Sequence, residues 1–184
     1  MPARPCGNCL LSQPAFDATI ALADYAAPVD GLIAALKFHA RLDVGWALGW
    51  LLAQRVAAAC PGQARPAAVL PLPLSALRLR ERGYNQSEEI ARTLARQLQL
   101  PLLRGALLRV RHCPTQQGLG LAERRTNVRA AFALAPGAVG LVAGRHLLLV
   151  DDVLTTGSTL GEAADCLRRA GAARVANAVV ARTP

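Results

Sequence analysis

Residues 147–159 read Leu-Leu-Leu-Val-Asp-Asp-Val-Leu-Thr-Thr-Gly-Ser-Thr: an apolar run, two adjacent carboxylates, then a loop of hydroxyls around one glycine. That order of residue types suits a phosphorylated sugar. Asp151 and Asp152 can accept hydrogen bonds from vicinal hydroxyls, while Thr155, Thr156, Ser158 and Thr159 offer hydroxyls and backbone N–H donors. Gly157 lets the backbone approach an anion with no Cβ in the way. Two acids after a strand are often only a solvated loop, and a helix cap uses a single hydroxyl; it is the whole string that favours a ligand. Apolar or small residues at 160, 163, 164 and 167 predict a helix over 160–169, closed by Gly171. Its dipole and free first-turn N–H groups favour a phosphate at its start. The chain has no Gly-x-Gly-x-x-Gly after a strand and no Gly-x4-Gly-Lys-Ser/Thr, so dinucleotide and P-loop readings lose their main support.

A second cluster follows a short strand predicted over 67–70 and the breaker Pro71-Leu72-Pro73-Leu74. It holds Arg78, Arg80, Arg82, Gly83, Tyr84, Asn85 and Gln86. Arginines two residues apart cannot share one helix face, which predicts an extended basic arm and not a regular helix. Such an arm suits a diphosphate, gripped by bidentate guanidinium hydrogen bonds, with Gly83 as a hinge. A solvated basic turn is the plainer alternative.

The string at 147–159 resembles the signature of type I phosphoribosyltransferases, which bind 5-phosphoribosyl 1-diphosphate. The resemblance implies that Asp151 and Asp152 face the ribose 2- and 3-hydroxyls, and that Thr155, Thr156, Gly157, Ser158 and Thr159 wrap the 5-phosphate. The order of motifs narrows the likeness. Pro71-Leu72-Pro73-Leu74, Arg82 to Gln86, Thr115-Gln116-Gln117, Arg124-Arg125-Thr126-Asn127, Ala131-Phe132 and Val150-Asp151-Asp152 together resemble the ComF family, as do Asp24-Tyr25-Ala26-Ala27-Pro28 and Leu36-Lys37-Phe38 upstream. That family is tied to DNA uptake or to the use of DNA as a nutrient.

The likeness implies a Mg²⁺-dependent phosphoribosyl diphosphate site with Asp151, Asp152 and Arg82 as candidate catalytic groups. Arg78, Asn85, Gln86, Gln116, Arg124, Arg125 and Asn127 are candidates for substrate contacts, with solvated helix-face roles equally open for the last four. Family members usually carry two Cys-x-x-Cys pairs that bind Zn²⁺. This chain has one, Cys6-Gly7-Asn8-Cys9, half of the four ligands that a zinc site needs. A start further upstream, loss of the first pair and completion by a partner chain would each account for it. Cys60 and Cys166 read as ordinary buried thiols.

The elements that must position these groups follow from periodicity and breakers. Strands are predicted over 19–23, 67–70, 106–110, 147–150 and 174–181, helices over 29–38, 42–59, 87–98, 121–131 and 160–169, with a turn over 61–66 and a small-residue loop over 135–144. Strands separated by helices predict an α/β fold with a mostly parallel sheet flanked by helices, as in type I phosphoribosyltransferases. Ligands then collect beyond the carboxyl ends of the strands. The expected organisation is an N-terminal, truncated zinc-ribbon-like extension over 1–18 and a phosphoribosyltransferase-like domain over 19–184.

A chain of 184 residues that is 53% hydrophobic can bury its own core. Five cysteines without a regular framework argue against a disulfide scaffold and for a reducing cytoplasm. Arg4, Gln13, Asp17 and three prolines interrupt residues 1–20, against a secretory signal, and the apolar stretch 44–53 is too short to span a bilayer.

Of the formal net charge of +9, residues 75–130 hold eleven arginines against four glutamates. A basic surface beside a phosphate site can steer a polyanionic small molecule or track single-stranded DNA. Aromatic platforms would favour DNA, and in sequence only Tyr84 sits among these arginines, with Phe132 at the margin. Two readings therefore stand. One is a transferase of unknown acceptor; the other is a non-catalytic phosphoribosyl- or nucleotide-binding protein that meets single-stranded DNA and DNA-import proteins.

Overall fold

The structure, a computed structural model, describes residues 14–60, 65–110 and 131–183. In chain order its elements are β1 (Ala18–Asp24), α1 (Val29–Phe38), α2 (Leu42–Ala59), β2 (Ala68–Pro71), α3 (Ala76–Arg82), α4 (Gln86–Leu98), β3 (Leu107–Arg109), β4 (Phe132–Leu134), α5 (Val139–Val142), β5 (His146–Leu154), α6 (Ser158–Arg169) and β6 (Arg174–Arg182). Four strands pair in parallel in the order β1-β6-β5-β2, and β3 and β4 form a separate antiparallel pair. The predicted parallel sheet between helices is what forms.

Side chains alternate across the sheet with the strand period of two. Leu148, Val150, Ala176, Ala178 and Val180 turn toward Ile33 and Leu36 of α1, Leu48, Leu52 and Val56 of α2, and Ile90 and Leu94 of α4. Leu147, Leu149, Val175 and Val179 turn the other way, onto Leu160, Ala163 and Leu167 of α6 and onto Phe132. Burial on both faces explains why β5 begins as an unbroken apolar run instead of an alternating one. Helix α2 approaches α4 most closely at Gly49, where a Cβ would lie 2.5 Å from the Ile90 carbonyl oxygen.

Three expectations are corrected. The segment carrying Arg78, Arg80 and Arg82 is not an extended arm but the helix α3. Its ends are set locally: Ser75 Oγ accepts from the Arg78 N–H at 3.3 Å, and Gly83, left-handed at φ 80°, donates its N–H to Leu79 O. No α3 residue is buried, so the helix needs no apolar stripe, and arginines two apart fan around its exterior. Strand β5 does not stop at Val150. Its pairing with β6 runs on through Asp151↔Val179 to Leu154↔Arg182, which places both acids inside the strand. The region expected to be a loop over 135–144 contains the short helix α5. The helix expected over 121–131 lies outside the described residues except for Ala131, which precedes β4.

Candidate functional site

Strand β2 ends its pairing with β5 at Pro71↔Val150, so β5 projects beyond it by the length of the acidic pair and two further residues. The chain leaving β2 folds back into that space. Asn85 holds it there. Its Nδ2 donates to Leu72 O at 3.0 Å, and its Oδ1 accepts from the Ser87 N–H at 3.1 Å, capping α4. The Ser87 hydroxyl then donates to Asp151 Oδ1 at 2.8 Å. The Asp152 N–H donates to the same oxygen at 2.9 Å.

The two acids have different surroundings. Burial pushes the Asp151 carboxyl up to about 7, with the charge of Asp152 adding to the rise and the Ser87 hydrogen bond opposing it. Asp152 is only 4% exposed, and Lys37, in the last turn of α1, places Nζ 2.9 Å from its Oδ2. Among the described residues Lys37 is the one partner of Oδ2.

Past β5 the loop turns directly into α6. Gly157 is the N-cap, left-handed at φ 76°, and has no side chain with which to close the helix end. The first-turn N–H groups of α6 are thereby left for an anion, apart from Ser158 N–H, which leans on Thr156 Oγ1 at 3.4 Å. Thr156 Oγ1 and Ser158 Oγ share a hydrogen bond at 2.8 Å, and Thr155, Thr156 and Ser158 are exposed. Thr159 is half-buried in the first turn. Acids, hydroxyls and helix dipole therefore lie on one strand–loop–helix unit, as their adjacency in sequence requires.

On the basic side, Arg78 and Arg80 are exposed on α3. Arg82 is half-buried; it donates to Gln86 Oε1 and its guanidinium lies 5.7 Å over the ring of Phe38, which is 72% exposed. Gln86 is buried, and Tyr84 donates its hydroxyl to Leu36 O, tying this segment to α1. Of the two residues singled out as substrate contacts, Asn85 ties the exit of β2 to α4 and Gln86 accepts from Arg82 of α3. Gln116, Arg124, Arg125, Asn127, Cys6 and Cys9 lie outside the described residues.

In the sequence Ser87 enters only as the start of a predicted helix, and Lys37 only within a motif. Lys37 carried a signal of its own: it is the one lysine in a chain with 20 arginines.

Among the described residues no three His, Cys, Asp or Glu side chains converge as a metal-ligand set. The acidic pair itself fits Mg²⁺, a hard cation that takes one or two carboxylates and completes its shell with water and phosphate oxygens. Asp152 Oδ2, buried and partnered among the described residues by Lys37 alone, is the oxygen with capacity to spare. Burial raises the Cys60 and Cys166 thiols, and only Cys166 is fully buried. No helix among the described residues is long and apolar enough to cross a membrane.

Comparison with known proteins agrees with this arrangement. The phosphoribosyl transferase domain family matches residues 64–184, which include every element from β2 to β6. Competence protein F of Haemophilus influenzae is 39% identical over 171 residues, covering 92% of this chain and 74% of that protein. DNA utilization protein YhgH of Escherichia coli O157:H7 is 40% identical over 173 residues, covering 93% and 74%. Competence protein ComFC of Bacillus subtilis is 30% identical over 105 residues, covering 57% and 40%.

Proposed function

The chain belongs to the ComF family of proteins with a phosphoribosyl transferase domain, and from that premise we propose that its β5–α6 unit binds 5-phosphoribosyl 1-diphosphate with Mg²⁺. The observation that carries this reading is the Asp151-Asp152 pair leading without a break into the uncapped α6 N-terminus at Gly157. The sugar's 5-phosphate accepts hydrogen bonds from the first-turn N–H groups and the hydroxyls of residues 155–159. Its 2- and 3-hydroxyls donate toward the carboxylates. Asp152 would be the residue to hold Mg²⁺, which when bound would supply charge neutralisation at the leaving group.

Where transfer occurs, an acceptor lone pair forms the new bond to the anomeric carbon. The carbon–oxygen bond to diphosphate breaks, and diphosphate departs with its electron pair. The chain contributes position and fixed charge: Ser87 orients Asp151, and Arg82 places a cation on the side of the site formed by α3. The test is diphosphate release from 5-phosphoribosyl 1-diphosphate over a panel of bases and amines. Release that requires one acceptor supports a transferase.

A second reading, a non-catalytic accessory protein of DNA uptake or utilisation, is favoured by one feature. Phe38, 72% exposed beneath Arg82, offers a base an aromatic platform beside a basic helix. The names of the relatives, competence and DNA utilization proteins, agree with either reading. Binding of the phosphoribosyl compound with no diphosphate release from any acceptor would favour this second one.

A further inference from the structure

We propose that Lys37 is a tethered counter-ion of the acidic pair, holding the Asp152 carboxylate in the ligand-free site and giving it up to a divalent cation. The inference rests on the reading of the β5–α6 unit as a Mg²⁺-dependent sugar diphosphate site and assigns one residue the task of keeping that site charged while empty.

Four observations carry it. First, Asp152 is 4% exposed, and the charge that faces its Oδ2 is Lys37 Nζ at 2.9 Å. A buried carboxylate needs such compensation to stay ionised. Second, among the described residues no other group partners Oδ2, so the ammonium is the one contact that a divalent cation has to replace there. Third, the Lys37 side chain is 22% exposed and sits in the last turn of α1, next to the largely exposed Phe38, so the ammonium has a path to water when it leaves.

Fourth, the cation is a lysine. In a chain of 20 arginines, the one lysine stands on this carboxylate. A guanidinium would fork onto both oxygens and resist displacement, whereas an ammonium is a compact point charge on a flexible stem. Two adjacent acids also repel one another. One tethered positive charge leaves the pair short of neutral when both acids are ionised; a divalent cation that displaces it supplies both charges.

The single lysine makes the test direct. Protein labelled with ¹³C-lysine gives one side-chain Cε resonance, which is recorded as Mg²⁺ is added and then removed with a chelator. The expected result is a shift to the solvent-exposed position on addition and a return on removal. Asp152→Asn protein shows the exposed position from the start and does not respond.

In parallel, Mn²⁺ binding is followed by the spectrum of the free ion. Lys37→Gln binds Mn²⁺ about tenfold more tightly than the parent, because its carboxylate is no longer partly occupied; Lys37→Arg binds it more weakly. An immobile resonance at saturating Mg²⁺, or folded Lys37→Gln with unchanged or weaker Mn²⁺ affinity, would overturn the proposal. If Lys37→Gln does not fold, the resonance of the parent protein decides. Heat from 5-phosphoribosyl 1-diphosphate with a stationary Lys37 would sink the counter-ion role alone. A Mg²⁺-driven shift without that heat would sink the sugar diphosphate reading alone.

Discussion

Ser87 Oγ donates to Asp151 Oδ1 at 2.8 Å and so joins the first turn of α4 to the carboxyl end of β5 across 64 residues of sequence. Asn85 fixes the same turn from the other side, through its cap on α4 and its bond to Leu72 O. The exit of β2, the start of α4 and the acidic strand are therefore tied together. Ser87 favours the ionised form of Asp151 against burial, which disfavours it.

The pH dependence of stability follows from that balance. Asp151 in the folded protein titrates near 7, above its ordinary 3.8. A carboxyl raised in this way contributes stability that is fully present below the unfolded value and lost as pH rises through the folded one. Urea midpoints of the parent protein should fall relative to those of Asp151→Asn between pH 5 and about 8. Ser87→Ala should deepen that fall and extend it to higher pH. Parallel midpoint curves for the parent and Asp151→Asn would show that Asp151 is not raised.

Gly157→Ala tests the backbone at the phosphate end. A Cβ there would meet the Phe16 ring at 3.8 Å and Leu154 Cδ1 at 4.0 Å, both ordinary contacts, so the obstacle is the left-handed φ of 76° and not space. Thermal unfolding should show a loss of about 1–2 kcal/mol. Affinity for 5-phosphoribosyl 1-diphosphate should fall as well, because the first-turn N–H groups lose their alignment.

Gly49→Ala tests the helix pair behind the sheet. Its Cβ would stand 2.5 Å from Ile90 O and 2.9 Å from Thr93 Cβ, so α2 must move away from α4. A destabilisation of about 1–3 kcal/mol in urea is expected. Gly31→Ala in α1 is the control. Nothing lies within 4 Å of its added Cβ, and the helix should gain up to about 1 kcal/mol.

Contact with single-stranded DNA is read from salt dependence. If Arg78 and Arg80 each neutralise one phosphate, replacing both with alanine lowers the slope of log affinity against log salt by about 1.4. Phe38→Ala should weaken binding by about 1–3 kcal/mol with the slope unchanged, as loss of a stacked base would. An unchanged slope in the double arginine variant would remove α3 from any DNA surface.

What the sequence disclosed of this fold was whatever is written locally. The helix at 42–59 and the parallel sheet follow from apolar periodicity and from strands separated by helices. The acidic pair and the hydroxyl loop are legible because they are contiguous. Helix α3 was hidden because its ends are set by Ser75 and Gly83 and it buries no stripe. Strand β5 seemed to end at its charges, whereas pairing with β6 carries it to Leu154. Lys37 and Ser87 lie far from the acids in sequence, and neither residue type announces a partner; packing of α1 and α4 on one sheet face brings them there.

The measurement that bears most directly on the central claim is calorimetric titration of the protein with 5-phosphoribosyl 1-diphosphate, with and without Mg²⁺, repeated on Asp151→Ala. The account predicts saturable heat at one site in the parent protein, strengthened by Mg²⁺ and at least about tenfold weaker in the variant, as loss of one charge-assisted hydrogen-bond partner implies. Saturable binding that is indifferent to Asp151, or no binding by the parent protein, would contradict it.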